Sequence, residues 1–114
     1  MPARTHDEYF ASATAESQEL ARIQSEVESR IPDATRCISY GMPAFRQRKV
    51  FFHFAAFKKH IGVYPPVTDD IGLIEETKAY RGPKGNLSFP FAQGLPIALI
   101  GKVAVALSRQ HAKP

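Results

Sequence analysis

The side chains able to do chemistry gather between Tyr40 and Tyr64. Tyr40-Gly41-Met42-Pro43-Ala44-Phe45 is followed by Val50-Phe51-Phe52-His53-Phe54-Ala55-Ala56-Phe57-Lys58-Lys59-His60-Ile61-Gly62-Val63-Tyr64-Pro65, which together carry two histidines, adjacent lysines and most of the aromatic rings. Imidazole can exchange a proton or hold a metal near neutral pH. Lysine can hold an anion, and aromatic rings with polar tips can wall a ligand. Such a set serves recognition rather than bond cleavage. Ser39 has no assignable histidine and acid partners, no glycine-rich phosphate loop occurs, and the carboxylates lack the spacing of an acid and base pair. No enzymatic activity is expected.

A β-hairpin must position these groups. Val50 to Phe57 is apolar almost throughout, as in a central strand, and Lys58-Lys59 turns it into His60 to Tyr64, where Pro65-Pro66 stops the pairing. A two-residue turn makes Phe57 oppose His60, Ala55 oppose Gly62 and His53 oppose Tyr64. Phe52, Phe54, Ala56, Ile61 and Val63 then share an apolar core face, and Phe51, His53, Phe57, His60 and Tyr64 share the other. In this register the two histidines stand about 13 Å apart along the strand at ~3.3 Å per residue, too far to chelate one ion. His53 is expected to be buried and bonded to a hydroxyl or carbonyl. His60 sits at the strand entrance beside the lysines.

The flanking segments read as helices and shorter strands. Leu20, Ile23, Val27 and Ile31 recur at spacings of three and four over Glu16 to Ile31, with Glu26 and Arg30 paired on the outer face. A shorter helix over Asp7 to Ser12 precedes it. Pro32 ends the long helix and opens a further turn that packs Cys37 and Ile38 inward, and Ala44 to Gln47 forms a short strand. Thr68 or Asp69 caps a helix that turns Ile71, Ile74 and Tyr80 to the core and ends at Gly82-Pro83. Leu87, Phe89 and Phe91 alternate on an edge strand, and Pro96 starts a last helix with Ile100, Val103 and Leu107 inward. The expected fold is α+β, an antiparallel sheet of three to four strands packed against N- and C-terminal helices.

A chain of 114 residues fits one domain, 1–114, with its core over about residues 5–109. Fifteen Lys and Arg against eleven Asp and Glu give a charge of +4, a mild bias toward anionic partners. The basic groups Arg46-Gln47-Arg48-Lys49 and Lys58-Lys59 fall at turn tips, where charges also keep strand ends solvated. The single cysteine, Cys37, fits a reducing compartment, and no signal peptide or membrane span of about 18 apolar residues is apparent. The expected setting is cytoplasmic, as a monomer or homodimer.

Tyr40-Gly41-Met42-Pro43-Ala44-Phe45, Phe54-Ala55-Ala56-Phe57-Lys58-Lys59-His60-Ile61-Gly62-Val63-Tyr64-Pro65, Lys84-Gly85-Asn86-Leu87-Ser88-Phe89-Pro90 and Leu95-Pro96 with Ile100 resemble the successive blocks of the YdhG-like family of small bacterial domains. The resemblance spans about Thr5 to Arg109. It implies a YdhG-like, frataxin-like architecture. Most members are of unknown function, and one is described as a frataxin-like intracellular iron chaperone. For this chain the resemblance thus implies iron held by carboxylates of the long helix, with Glu16, Glu19 and Glu26 as metal candidates beside the interleaved Arg22 and Arg30, and an iron-receiving protein as partner.

The residues themselves favour a binding domain with no required cofactor. The preferred site is a small-molecule or peptide pocket bordered by Tyr40, Met42, Phe45 and Tyr64, with Lys58, His60 and Lys84 as further ligand-binding candidates. The alternative is an anion, nucleotide or single-stranded nucleic-acid site in which Lys58, Lys59, His60, Arg81 and Lys84 gather along one sheet margin.

Overall fold

Short turns between apolar strands generate a five-stranded antiparallel sheet in the computed structural model, which describes residues 3–12 and 17–112. Helices α1 (His6–Ser12) and α2 (Ser17–Arg30) lead into strands β1 (Thr35–Ser39), β2 (Met42–Arg46), β3 (Val50–Ala56) and β4 (His60–Tyr64). Helix α3 (Ile71–Glu76) precedes β5 (Leu87–Pro90), and α4 (Ile97–Leu107) follows it. The strands lie in chain order, so each pairs with its sequence neighbour.

The α+β class and the flanking helices are as expected, but the sheet gains a strand. Residues 35 to 39, read as a helical turn, form the edge strand β1. The cause is the Tyr40-Gly41 turn, in which both residues have positive φ (54° and 74°) and Ser39 pairs with Met42. Such a two-residue turn matches strand twist and locks a hairpin. Cys37 therefore lies half-buried on a strand rather than inside a helical turn.

The β3–β4 register is the expected one: His53 pairs with Tyr64, Ala55 with Gly62, and Phe57 N donates to His60 O at 2.8 Å. Phe52, Phe54, Ile61 and Val63 face the core with Leu20, Ile23 and Val27 of α2 and Ile100, Val103 and Leu107 of α4. Phe51 departs from the expected alternation. A register shift beside Arg46 leaves one extra residue in β3, and Phe51 is fully buried in the core with Phe52. The opposite face carries Cys37, Met42, Ala44, His53, Ala55, Gly62 and Tyr64, and at its margins Arg46, Phe57 and Ser88 are exposed.

Helix α3 is shorter than its pattern implied. Asp70, rather than Thr68 or Asp69, is the N-cap, its carboxylate accepting from Leu73 N at 3.0 Å. That cap makes Ile71 the first helical residue and turns it to solvent, while Leu73 takes the buried position. Tyr80, in the 3₁₀ turn Lys78–Tyr80, packs its ring 4.7 Å from that of Phe89.

One buried imidazole ties the helical layer to the sheet. His6 is 3% exposed; its Nε2–H donates to Cys37 O (3.0 Å) and Ala44 O (2.9 Å), while its Nδ1 accepts from Gln24 Nε2 (3.0 Å). This assignment makes the ring a neutral Nε2–H tautomer. Burial lowers its pKa, an effect the two carbonyls partly offset. Replacement by leucine strands the buried Gln24 amide, so His6→Leu is expected to cost about 1–3 kcal/mol in urea unfolding. A loss below the measurement error would show that the three bonds are not needed.

Helix α4 lies close against α2 at Gly101. A Cβ there would lie 2.5 Å from Arg30 Nε and 2.7 Å from Glu26 Cγ, so the Glu26–Arg30 ion bridge, at 2.5 Å, lies on a side of α2 that faces α4 rather than on the expected outer face. Helix propensity alone disfavours glycine at this position, so the contact decides. Gly101→Val should lower stability by about 1–3 kcal/mol through overpacking, and unchanged thermal unfolding would contradict the close approach.

Candidate ligand-binding cleft

The β3–β4 turn, the start of α2 and the segment after β5 meet around a cleft of about 580 Å³ lined by Glu19, Arg22, Lys58, Lys59, Phe91, Ala92, Gly94 and Leu95. Each wall has a local cause. The apolar stripe of α2 buries Leu20 and Ile23, which turns Glu19 and Arg22 toward the rim. The tight β3–β4 turn projects Lys58 and Lys59 into solvent. Pro90 leads into a 3₁₀ turn over Phe91–Gln93, whose Phe91 N donates to Lys59 O at 3.0 Å and fixes this wall to the hairpin tip. Gly94, at φ 73°, then reverses the chain so that Phe91 and Leu95 both rest on the core.

The cleft thus sets three cations and one carboxylate around an apolar floor. Glu19 and Arg22 are paired loosely, at 3.3 Å, with the arginine side chain 58% exposed. Exposed pairs of this kind contribute only about 0–1 kcal/mol, so both groups remain available to a ligand. Lys58, expected as a ligand-binding residue, and Lys59 are in the cleft. Sequence reasoning missed Arg22, Phe91, Gly94 and Leu95. The visible signal for the last three is the Pro90 to Pro96 interval, which breaks the strand pattern with Gly94, and Arg22 carries none.

The other expected residues are dispersed. Phe45 is fully buried on the helix side and cannot border a pocket with Tyr64, because adjacent strand residues face opposite ways. Tyr40 is 88% exposed at the β1–β2 turn, and Met42 and Tyr64 are half-buried on the open sheet face. His60 stacks on Phe57 with ring centroids 5.0 Å apart. Lys84 does not join the lysine pair: β5 runs antiparallel to β4, with Leu87 opposite Val63 and Pro90 opposite His60, which puts Lys84 beyond the other end of that strand. The basic margin proposed for nucleic acid is therefore split between two ends of the sheet.

The acidic helix does not form a metal site among the described residues. Glu19 pairs with Arg22, Glu26 with Arg30, and Glu28 with Arg36 at 2.6 Å, and Arg36 holds the Glu28 carboxyl below its ordinary pKa. No group of three or more His, Cys, Asp or Glu converges among these residues. Glu16 lies outside them. Glu19, Glu26 and Glu28 each face a guanidinium, so the chemistry of these described carboxylates does not fit captured iron. Cys37, for its part, has its thiol pKa raised by burial, which favours the unreactive form.

His53 differs from the expected satisfied histidine. It is 9% exposed beneath the Tyr40 ring, yet neither ring nitrogen has a hydrogen-bond partner among the described residues. Burial lowers its pKa, and the Tyr64 backbone offsets this in part without reaching bonding geometry.

The architecture is that of a small α+β domain with helices packed on one side of an antiparallel meander. The YdhG protein of Bacillus subtilis, from the DUF1801 family, has a solved structure that superposes with a TM-score of 0.74 over 93% of this chain and 90% of that one, at 16% sequence identity. The expected YdhG-like resemblance therefore holds in the fold. No family model and no curated protein matches the sequence.

Because His53 is buried without hydrogen-bond partners among the described residues, His53→Leu is expected to stabilise the protein, by about 1–3 kcal/mol in urea unfolding, whereas a loss would reveal a bond made to water. Both buried histidines have folded pKa values below the ordinary 6.5. Their contribution to stability is whole above pH 6.5 and is lost as pH falls from there through the folded values, since the unfolded chain takes up the protons first. Unfolding free energies measured from pH 7.5 to 5 should decline, and less steeply in His53→Leu; a flat profile would contradict the two shifts.

Proposed function

We propose that this chain is a non-enzymatic cytoplasmic binding domain whose ligand is a small anionic molecule with an apolar body, held in the cleft at the tip of the β3–β4 hairpin. One observation carries the proposal: Arg22, Lys58 and Lys59 stand around a floor formed by Phe91 and Leu95, in a volume suited to a small ligand. The cations would hold the anionic group, and the rings and aliphatic carbons would cover the remainder. Of the expected ligand-binding residues Lys58 lines this cleft, and Lys59 joins it from the expected anion site, whereas Tyr40, Met42, Phe45, His60, Tyr64, Arg81 and Lys84 do not line it.

The fold gives this site rigid support. Both lysines follow a paired strand, and the Phe91 to Lys59 hydrogen bond joins the two apolar and cationic walls. Lys58 and Lys59 are exposed, so replacing them leaves the core untouched. In calorimetric titration at low salt, octanoate and benzyl phosphate should bind the unmodified protein. Affinity should fall at least about tenfold in Lys58→Gln/Lys59→Gln, and also on raising salt from 0.02 to 0.5 M, as roughly expected for screened charges. Equal binding by the double variant would refute the cleft as the site.

A further inference from the structure

Glu19 is an odd neighbour for an anion. It lines the cleft together with the three cations, and it holds Arg22 through contacts of 3.3 and 3.4 Å. The two other acid and arginine pairs of α2 are tighter, at 2.5 Å for Glu26 with Arg30 and 2.6 Å for Glu28 with Arg36. Glu28 accepts from two nitrogens of Arg36, Nε at 2.6 Å and Nη2 at 3.0 Å, the forked geometry that resists competition, whereas both Glu19 oxygens share the single Nη1 of Arg22. The loosest pair is the one placed in the cleft, and its arginine is the most exposed of the three.

We infer that Glu19 is an internal competitor that occupies Arg22 until a phosphomonoester dianion displaces it, which makes the cleft selective for phosphomonoesters over carboxylates. This rests on the cleft being the ligand site. A carboxylate ligand only exchanges one carboxylate for another at Arg22, leaving little net gain. A phosphomonoester carries close to two charges at neutral pH and three acceptor oxygens, so it can engage the guanidinium and the two ammonium groups together. Guanidinium geometry suits phosphate in a forked arrangement, while the lysines act as point charges. Phe91 and Leu95 then cover the ester's organic part, and a bare phosphate lacks that contact.

Benzyl phosphate, phenylacetate and inorganic phosphate are the probes, titrated at pH 7.5 and fixed low salt into the full chain and into Glu19→Gln, Arg22→Gln and the double variant. Benzyl phosphate should bind the unmodified protein more tightly than either other probe. Glu19→Gln should tighten it about three- to fivefold, the range set by an exposed ion pair, and this gain should shrink once Arg22 is also replaced. A gain of the same size without Arg22 would mean simple charge repulsion and would overturn the displacement. So would no gain at all while the unmodified protein still binds, a result that leaves the cleft proposal standing. Equal affinity for phenylacetate and benzyl phosphate would overturn the phosphomonoester assignment. If no probe binds any form, the cleft proposal itself fails.

Discussion

The length of the Lys58-Lys59 turn constrains nearly everything else in the molecule. Two residues between paired strands fix the parity of β3 against β4, so Phe52, Phe54, Ile61 and Val63 all face the helices. A slip by one residue would send the side chains of one strand, Phe52 and Phe54 or Ile61 and Val63, to the open face and strip α2 and α4 of part of the surface they cover. The same turn carries the two lysines outward at the end of the rigid central strands, where α2 begins and where Phe91 is bonded to Lys59. Core and cleft therefore arise from one local constraint, and the cleft is positioned by the part of the fold with the deepest packing.

The helical layer covers one side of the sheet, and the chain handles its two buried histidines differently on the two sides. His6, on the covered side, has both ring nitrogens engaged, with partners from β1, β2 and α2. His53, on the open side, lies against the Tyr40 ring, and neither of its nitrogens has a hydrogen-bond partner among the described residues. The open side otherwise places small residues, Ala44, Ala55 and Gly62, beneath larger ones. A Cβ on Gly62 would come within 2.8 Å of both the Phe57 ring and the Tyr64 hydroxyl, which shows how closely those two side chains close over the sheet.

Much of the architecture was legible in the residues because local rules act over short distances. A continuous apolar run gave β3, the Lys58-Lys59 turn and Pro65-Pro66 bounded β4, the stripe of Leu20, Ile23 and Val27 gave α2, and Ile100, Val103 and Leu107 gave the inward side of α4. Misreadings occurred where one residue of phase decided the outcome. Asp70 as cap turns Ile71 outward, the irregularity at Phe51 turns that ring inward, and the Tyr40-Gly41 turn makes residues 35 to 39 a strand where a helical turn is expected. Propensity is weak at such positions, and pairing with a neighbouring strand or a single capping bond overrides it.

The candidate site was legible only in part. Lys58 stands out next to aromatic strands, whereas Arg22 reads as a charge interleaved with the carboxylates of the long helix and Leu95 as part of the block leading into the last helix. Phe45 was grouped with Tyr64 by composition, yet strand alternation sends it to the other side of the sheet. By itself the sequence determined which segments bury their apolar sides and how the central hairpin pairs, since both follow from spacing along a few residues. Only the tertiary structure decided that residues near positions 20, 58 and 91 share a cleft while Lys84 does not, because that depends on where helices and loops dock across the sheet, a matter of packing between segments far apart in the chain.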